Sequence, residues 1–276
     1  MPRQLALAVL LLAGLAGRSA AQGVVVAPHA VYLDHRTRSG AITLYNPGAD
    51  PAEVTISTFY GYPVTDSAGH FMLQVPDSVD PSMPSATGWI DAFPRKMTIP
   101  PLTRQTVRLL ARPPQGLLDG EYWSRISISA LGGAVPVTGA DTGRIAIGLT
   151  LEVRTIIPLI YRKGALTTGI AVSNLRATPR GDSLIARVHL ERRGTAAFVG
   201  MARGTLLNTA GGPVATFQQP VAVYYDADPA FELPVRGLAP GSYRLRLELD
   251  TDRTDIAPEL LLRTATVRDS VEVVLP

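Results

Sequence analysis

The chain has 276 residues, no cysteine and a formal charge of +3, and 46% of its residues are hydrophobic. Without cysteine it has no disulfide bond and no thiolate chemistry, so its stability has to come from hydrophobic cores, which a chain of this length can build in two domains. The small net charge gives no indication of nucleic acid or of a strongly anionic surface as a partner.

The first 21 residues have the features of a secretory signal peptide. Residues 1–3 are a short basic start, residues 5–16 are apolar, and residues 19–21 are small and suit cleavage. The apolar run is shorter than the roughly 20 residues of a membrane-spanning helix, and no later run is long enough to span. We therefore predict export from the cytoplasm. Beyond residue 21, 24 basic residues face 23 acidic ones, a formal charge of +1.

Short β-rich runs follow, separated by Gly, Pro, Asn and Asp, which is typical of an all-β sandwich. The strands predicted in the first half are 24–33 with an interruption at Pro28, 41–45, 52–60, 71–75, 96–99, 105–111, 121–130 and a long strand from residue 144. Seven or eight strands in about 140 residues indicate an immunoglobulin-like sandwich.

The long strand has one apolar face. Its apolar residues alternate with small or polar ones and are Ile145, Ile147, Leu149, Leu151 and Val153. A period of two predicts an extended strand whose apolar side chains share one face. Two interpretations are open: this face packs into its own sandwich, or the strand pairs with another chain by β-augmentation, in which main-chain hydrogen bonds give the affinity.

The second half repeats this style after a junction at residues 163–165. We predict strands at 169–177, 183–191, 202–207, 214–218, 230–233, 241–250 and 265–275, with a polar hairpin loop at 250–258. The pattern Gly-x-Tyr occurs at Tyr122 and again at Tyr243. Each tyrosine is expected at a sandwich corner with its hydroxyl bonded to the chain. The expected domains are residues 22–163 and 164–276, both immunoglobulin-like β-sandwiches.

Catalysis has little support in the sequence. The four histidines, His29, His35, His70 and His189, are not spaced like a metal-binding pair, and there is no Gly-x-Ser-x-Gly elbow or phosphate-binding glycine loop. No convergent cluster of titratable groups can be identified. We therefore predict no enzyme activity, no metal and no cofactor; a hydrolase or metal enzyme is the least favoured interpretation.

Four segments resemble the PapD-like periplasmic chaperones of pilus assembly. Residues 26–32 are similar to the first strand of that family, and residues 42–47 to the second, which ends in Asn. Residues 103–109 are similar to the segment in which Gln and Arg lead into a strand. Residues 157–162 are similar to the end of the last strand of the first domain. The resemblance covers residues 24–163, and the second domain fits by position and β character.

The resemblance implies two immunoglobulin-like domains set at an angle and a strand that is lent to an incomplete pilin subunit. By position, Leu149, Leu151 and Val153 would be the lent residues, with Ile147 and Ile145 extending the row. The implied partners are a secreted, β-rich, pilin-like subunit and an outer-membrane assembly protein.

The chain departs from the family where two basic residues hold the terminal carboxylate of the subunit. His29 stands at the first of these positions and Pro158 at the second, and they cannot replace two fixed cations. Arg125, Arg154 and Arg162 are nearby candidates for the charge. The Arg-Glu-Ser motif of the family is also absent, and residues 120–125 have a Gly-x-Tyr form that is more like distant relatives of these chaperones.

Two functions from different classes therefore remain. The first is a periplasmic chaperone that binds subunits of a pilus, fimbrium or surface fibre along residues 145–153, without covalent chemistry. The second is a structural or adhesive module of the cell envelope, in which the same strand is internal core and partners bind through loops such as residues 61–88.

Overall fold

A computed structural model describes the backbone of residues 23–135 and 149–276, and the side chains of all of these except residues 132–135, 149 and 150. Within these ranges the chain is all β, apart from one 3-10 turn at Pro258–Leu260. The described residues include no helix that meets the length and hydropathy needed to span a membrane. The predicted signal peptide lies outside them and stays a prediction.

Two sheets form the first sandwich. Their strands are β1 Val25–Ala27, β2 Val31–Asp34, β3 Ser39–Tyr45, β4 Ala52–Phe59, β7 Ile90–Phe93, β8 Lys96–Ile99, β9 Arg104–Ala111, β10 Gly120–Val135 and β11 Leu149–Lys163, while β5 Tyr62–Thr65 and β6 Phe71–Gln74 make a separate hairpin. The order β1-β3-β9-β7 defines sheet A, and the order β2-β11-β10-β4-β8 defines sheet B. Alternate residues of each sheet point inward, which gives one core between them.

Pro28 divides the first predicted strand between the two sheets. Val25–Ala27 pairs with β3 of sheet A, whereas Val31–Asp34 runs parallel to the end of β11 in sheet B. A proline has no N–H to donate to a strand ladder, so the chain can leave one sheet there and enter the other. The interruption at Pro28 was predicted correctly from sequence, but the change from one sheet to the other was not predicted.

The second sandwich also has two sheets. Its strands are β12 Thr168–Arg180, β13 Ser183–Gly194, β14 Phe198–Leu207, β15 Pro213–Val223, β16 Asp226–Ala227, β17 Ala230–Pro234, β18 Gly241–Asp250 and β19 Val267–Leu275. One sheet holds β12, β13, β16 and β17, and the other has the order β15-β14-β18-β19. The all-β prediction of two tandem sandwiches is confirmed.

The predicted tyrosine corners are confirmed in both sandwiches. The Tyr122 hydroxyl donates to the carbonyl oxygen of Leu118 at 2.9 Å, and the Tyr243 hydroxyl donates to that of Ala239 at 2.8 Å. Each bond spans four residues and fixes the turn that leads into β10 or β18. The Gly-x-Tyr pattern therefore forms a tyrosine corner in each of the two sandwiches.

The strand count of the first half was too low. The structure adds β5 and β7 to the predicted set, and β5 pairs with β6 across the segment predicted to be mostly loop. Both strands are four residues long, and β5 contains Pro63. Such short runs beside proline and glycine carry too little periodicity to be identified from sequence. The predicted hairpin loop after residue 250 is a longer connection that contains the 3-10 turn and leads to β19.

Candidate functional site

The last strand of the first sandwich is only partly enclosed by its sheet. β11 pairs with β10 along its length, but on its other side β2 contacts only residues 159–162. In the part of the chain that the structure describes, residues 149–158 have no strand on that side. We call these residues the open edge. Their unpaired backbone groups are able to accept a further strand.

The apolar row of the open edge continues the core face of sheet B. Ile157, Leu159 and Tyr161 are buried in the first core. Side chains alternate along a strand, and the register with β10 is unbroken from residue 153 onward, so Leu151 and Val153 lie on the same face. Val153 is half-buried and Leu151 is 42% exposed. The row thus runs out of the core toward solvent.

Gly23, the first residue that the structure describes, covers part of this apolar row. A Cβ atom placed on Gly23 would lie 3.0 Å from a methyl carbon of Val153. Val153 is cross-strand partner of the buried Ala130, whereas a register shift between Leu131 and Ala134 separates β10 from β11 near Leu151. A bulge of this kind ends regular pairing and raises the local twist. Leu151 is therefore the more accessible of the two.

The remaining residues predicted for this row are less fully described. Leu149 begins β11, and its side chain lies outside the described part. Ile145 and Ile147 also lie outside the described residues. The structure therefore gives the geometry of Leu151 and Val153 only, and the role of the whole row stays a prediction.

The opposite face of the open edge has a different character. Glu152 accepts a hydrogen bond from Arg154 at 3.0 Å and another from the Ser129 hydroxyl. These bonds hold the pKa of Glu152 below its ordinary value. Ile156 is 41% exposed on this face. One strand thus presents apolar side chains on both faces at nearly equal exposure.

An aromatic cluster joins the two sandwiches. Tyr60, Trp123 and Ile160 from sheet B pack against Ala197 and Tyr224 from the second sandwich, and all five are buried. The rings of Trp123 and Tyr224 have centroids 4.6 Å apart. Aromatic pairs at this separation add to the free energy gained from burial alone. Trp123 is therefore part of the interface between the sandwiches.

Glu121 lies at the centre of the polar contacts between the sandwiches. Its carboxylate is 1% exposed and accepts from Arg162 Nε at 2.9 Å, from the Trp123 indole at 2.9 Å and from the Ala197 backbone at 3.1 Å. Arg162 also donates to the carbonyl oxygen of Leu260. A buried charge is costly unless it is paired, and the pair of Glu121 and Arg162 within sheet B meets this need. The bonds with Ala197 and Leu260 connect this pair to the second sandwich.

The four predicted anchor residues do not surround a single point. Arg125 is 7% exposed; its Nε donates to the carbonyl oxygen of Gly61 at 2.9 Å and its guanidinium lies 5.3 Å from the centre of the Tyr224 ring. Arg162 lies 4.3 Å from the centre of the Tyr32 ring, in the pair with Glu121. Two of the four predicted anchors, Arg125 and Arg162, therefore line the interface between the sandwiches.

The other two predicted anchors are at the surface. Arg154 pairs with Glu152 on the open edge. His29 is exposed and lines a small cavity of about 280 Å³ together with Asp255, and the hydrogen bond from Arg253 holds the pKa of that carboxyl below its ordinary value. The anchor set stays a prediction. Arg125 is the member beside the open edge, because its cross-strand partner is Pro158.

The hairpin of β5 and β6 reaches from the first sandwich to the second. The Ala230 backbone donates to the carbonyl oxygen of Gly69 at 3.0 Å, and the Asp228 backbone donates to the Thr65 hydroxyl at 2.8 Å. Arg187 donates to the carbonyl oxygen of Ala68 at 2.9 Å. Of its two strands, β6 was predicted from sequence, whereas β5 and the contacts with the second sandwich were not. Its partners lie more than 100 residues further along the chain, and no local pattern signals them.

Burial changes the acidity of the tyrosines in this interface. It raises the pKa of Tyr224 to about 12, an effect that the neighbouring Arg125 partly opposes. Burial and the hydrogen bond with Tyr225 raise the pKa of Tyr60 well above its ordinary value. Both hydroxyls therefore stay protonated at neutral pH and act in hydrogen bonds rather than in proton transfer. Among the described residues no group of three His, Asp or Glu side chains could hold a metal ion.

Comparison with protein-family models gives no match, and comparison with curated proteins gives none either. Several solved structures of chaperones are similar in the arrangement of their strands. The YadV chaperone has a TM-score of 0.46 and 16% identity, over 91% of this chain and 99% of that chain. The Salmonella enterica SafB chaperone, solved with the SafA pilin, has a TM-score of 0.42 and 16% identity, over 92% and 96%.

The CupB2 chaperone of Pseudomonas aeruginosa is a third similar structure. Its TM-score is 0.41 and its identity is 14%, over 91% of this chain and 100% of that chain. Because these TM-scores lie below 0.5, the function of this chain has to be argued from its own residues.

Proposed function

We propose that the chain is a periplasmic chaperone that lends the open edge of β11 to a secreted β-rich subunit of a pilus or surface fibre. The observation that carries this proposal is the row of Val153 and Leu151, which leaves the core of the first sandwich on a strand that, among the described residues, has no neighbour on one side. A subunit that lacks one strand exposes its own core, and an alternating apolar strand fills that gap.

The binding would use two kinds of contact. Backbone groups of residues 149–158 would bond to a subunit strand, which gives affinity without sequence specificity. Leu151 and Val153 would enter the subunit core, and burying a leucine contributes about 1.5–3 kcal/mol. An outer-membrane assembly protein would then receive the subunit. No covalent step and no cofactor take part in this proposal.

Position also favours Arg125 as the anchor for a subunit carboxylate. The open edge ends at Pro158, and Arg125 is the cross-strand partner of that residue. A subunit strand that runs along the open edge toward the interface would bring its terminus to this point. Arg154 is less suited to the role because it lies further along the strand and already pairs with Glu152.

The test compares Leu151→Lys with Ile156→Lys. The two residues lie on the same strand with exposures of 42% and 41%, but on opposite faces. Tagged protein is recovered from the periplasm, and the co-purifying subunit is identified and quantified by mass spectrometry. We expect the wild type and Ile156→Lys to retain a small β-rich subunit and Leu151→Lys to lose it, while all three stay folded and soluble.

Amide hydrogen exchange then locates the contact. Slower exchange along residues 149–157 in the complex supports strand addition at the open edge. Equal retention of the subunit by both variants, or protection only in loops such as residues 61–88, would contradict the proposal. Recovery of the wild type alone, folded and monomeric, would favour the structural or adhesive module.

A further inference from the structure

Sheet A has a groove on its outer face, on the side of the first sandwich away from sheet B. The groove has a volume of about 1060 Å³, and its lining includes Ser39 and Ala41 of β3 and Leu110 of β9. In β9, Val107, Leu109 and Ala111 are buried, and Arg108 and Leu110 between them point outward. Ser39 and Ala41 are their small neighbours on β3 and leave space beside them.

The groove has exposed apolar side chains where a solvated sheet face would be polar. Phe93, at the end of β7, is 74% exposed, and Leu110 is 45% exposed. Phe93 is the cross-strand partner of Arg108, and Leu110 is that of both Ser39 and Asp91, so both belong to this face. Exposed large apolar groups that cluster in this way mark interaction sites.

The charges around the groove are mostly positive. Arg95, Arg108 and Arg112 line it with a single carboxylate, Asp91. Asp91 pairs with Arg95 at 2.5 Å and with Arg112 at 3.4 Å. Arg108 has no ion pair with any carboxylate that the structure describes. The groove therefore combines an apolar centre with an excess of two positive charges.

We propose that this groove docks a partner-protein segment that presents a large apolar side chain flanked by carboxylates. The apolar side chain would pack against Phe93 and Leu110, which are diagonal neighbours on β7 and β9, and a carboxylate would bond to Arg108. Guanidinium groups suit carboxylates because they offer paired donors. A concave floor of small residues fits one inserted side chain better than a flat lipid surface. Like charge disfavours a second copy of the same face.

This proposal is independent of strand donation, since sheet A is a different surface from the open edge of sheet B. The probe is a fluorescein-labelled peptide of about ten residues in which glutamate flanks a central phenylalanine, compared with the same peptide carrying lysine in place of glutamate. Binding is measured by fluorescence anisotropy on the full mature chain. We expect saturable binding of the glutamate peptide, weakened by added salt, and no binding of the lysine peptide.

Variants locate the bound peptide. Arg108→Glu is expected to weaken binding at least about tenfold, and Phe93→Ser to weaken it by a similar factor, since tenfold corresponds to about 1.4 kcal/mol. Arg180→Glu and Leu118→Ser are matched controls at exposed positions elsewhere and should bind as the wild type does. Circular dichroism checks that each variant is folded.

Several results would overturn the proposal. One is the absence of saturable binding, and another is equal weakening by the control variants. Loss of peptide binding in Leu151→Lys would place the peptide on the open edge. Phe93-dependent binding to anionic vesicles without peptide binding would make the groove a lipid site. Dimerisation of the wild type that Phe93→Ser abolishes, seen by sedimentation velocity, would make it a self-association face.

Discussion

Gly69 of the hairpin and Ala230 of the second sandwich are in such close contact that a Cβ atom on Gly69 would lie 2.5 Å from the backbone nitrogen of Ala230. Gly69 is buried and has a φ of +90°, in the region that favours glycine. Both its conformation and its lack of a side chain are therefore needed for the hairpin to reach the second sandwich.

Gly69→Ala is expected to release the hairpin and to uncouple the two sandwiches. The new methyl group has no space, so the bonds at Gly69, Thr65 and Ala68 should weaken together, at a cost of about 1–3 kcal/mol. Urea unfolding followed by circular dichroism, which reports the strands of both sandwiches, should change from one transition to two. Small-angle scattering should show a larger radius of gyration.

Gly88→Ala is the control for backbone strain alone. Gly88 has a φ of +91°, and a Cβ atom there would meet nothing within 4 Å. It should lower stability slightly and leave a single unfolding transition. If Gly88→Ala and Gly69→Ala behave alike, the close contact with Ala230 does not couple the sandwiches.

The buried carboxylate of Glu121 gives a second test of the interface. Glu121→Ala removes the partner of Arg162 and leaves a guanidinium that is 18% exposed without its carboxylate. Removing one member of a buried ion pair costs about 3–5 kcal/mol, and we expect a loss of this order in the free energy of urea unfolding. Glu121→Gln should cost less because an amide oxygen still accepts the bond from Ala197.

The exposed pair of Glu191 and Arg193 provides the comparison. Its side chains are about half exposed and lie 2.7 Å apart. Exposed pairs contribute less than about 1 kcal/mol, so Glu191→Ala should barely change stability. A similar cost for Glu121→Ala and Glu191→Ala would show that the buried network does not hold the domains.

The two arginines beside the open edge are expected to differ in subunit binding. Arg125→Ala should lower the affinity for a subunit by about 1–3 kcal/mol, as expected for loss of a charge-assisted hydrogen bond. Arg154→Ala should change it little, because Arg154 is exposed and paired with Glu152. Isothermal titration with the subunit recovered in the co-purification experiment measures both.

Arg125 also contacts Gly61 and Tyr224, so its removal affects the fold. Arg125→Lys keeps the charge and separates the two effects. An affinity that Arg125→Lys restores supports a charged anchor. An equal loss in Arg154→Ala and Arg125→Ala would exclude Arg125 as a dedicated anchor.

The sequence was informative where a feature depends on near neighbours. Alternation at Leu151 and Val153 correctly indicated a strand on which these two side chains share a face, and the spacing from Gly120 to Tyr122 indicated a sandwich corner. Whether β11 lies at an edge depends on where β2 ends, and that pairing is not encoded within the strand. The exposure of Phe93 likewise depends on a distant pairing, because its neighbour on the outer face of sheet A is Arg108 of β9.

Contacts between residues far apart in the chain could not be predicted either, because they too depend on pairings that no local pattern encodes. Glu121 reads as an ordinary polar residue of a strand, and it becomes a buried centre only because Arg162 and Ala197 converge on it. The hairpin and Ala230 are linked by backbone groups, which every residue has. Such contacts carry no residue-type signal that a single sequence could reveal.

Tyr224 makes alkaline stability a test of the interface. Its folded pKa of about 12 lies above the ordinary value of 10 because the hydroxyl is buried. Between pH 10 and 12 the unfolded chain loses this proton while the folded chain keeps it, so the free energy of unfolding falls as the pH rises. The contribution of Tyr224 is fully present below pH 10, and about 2–3 kcal/mol is lost by pH 12.

Urea unfolding at pH 9, 10, 11 and 12 measures this loss. In Tyr224→Phe the free energy of unfolding should fall less steeply with pH than in the wild type, and the difference in slope should correspond to about one proton. Tyr45→Phe is the control, because Tyr45 lies on the outer face of sheet A away from the interface. If the free energy of unfolding of Tyr224→Phe fell with pH as steeply as that of the wild type, the Tyr224 hydroxyl would be in contact with solvent. The two sandwiches would then separate readily.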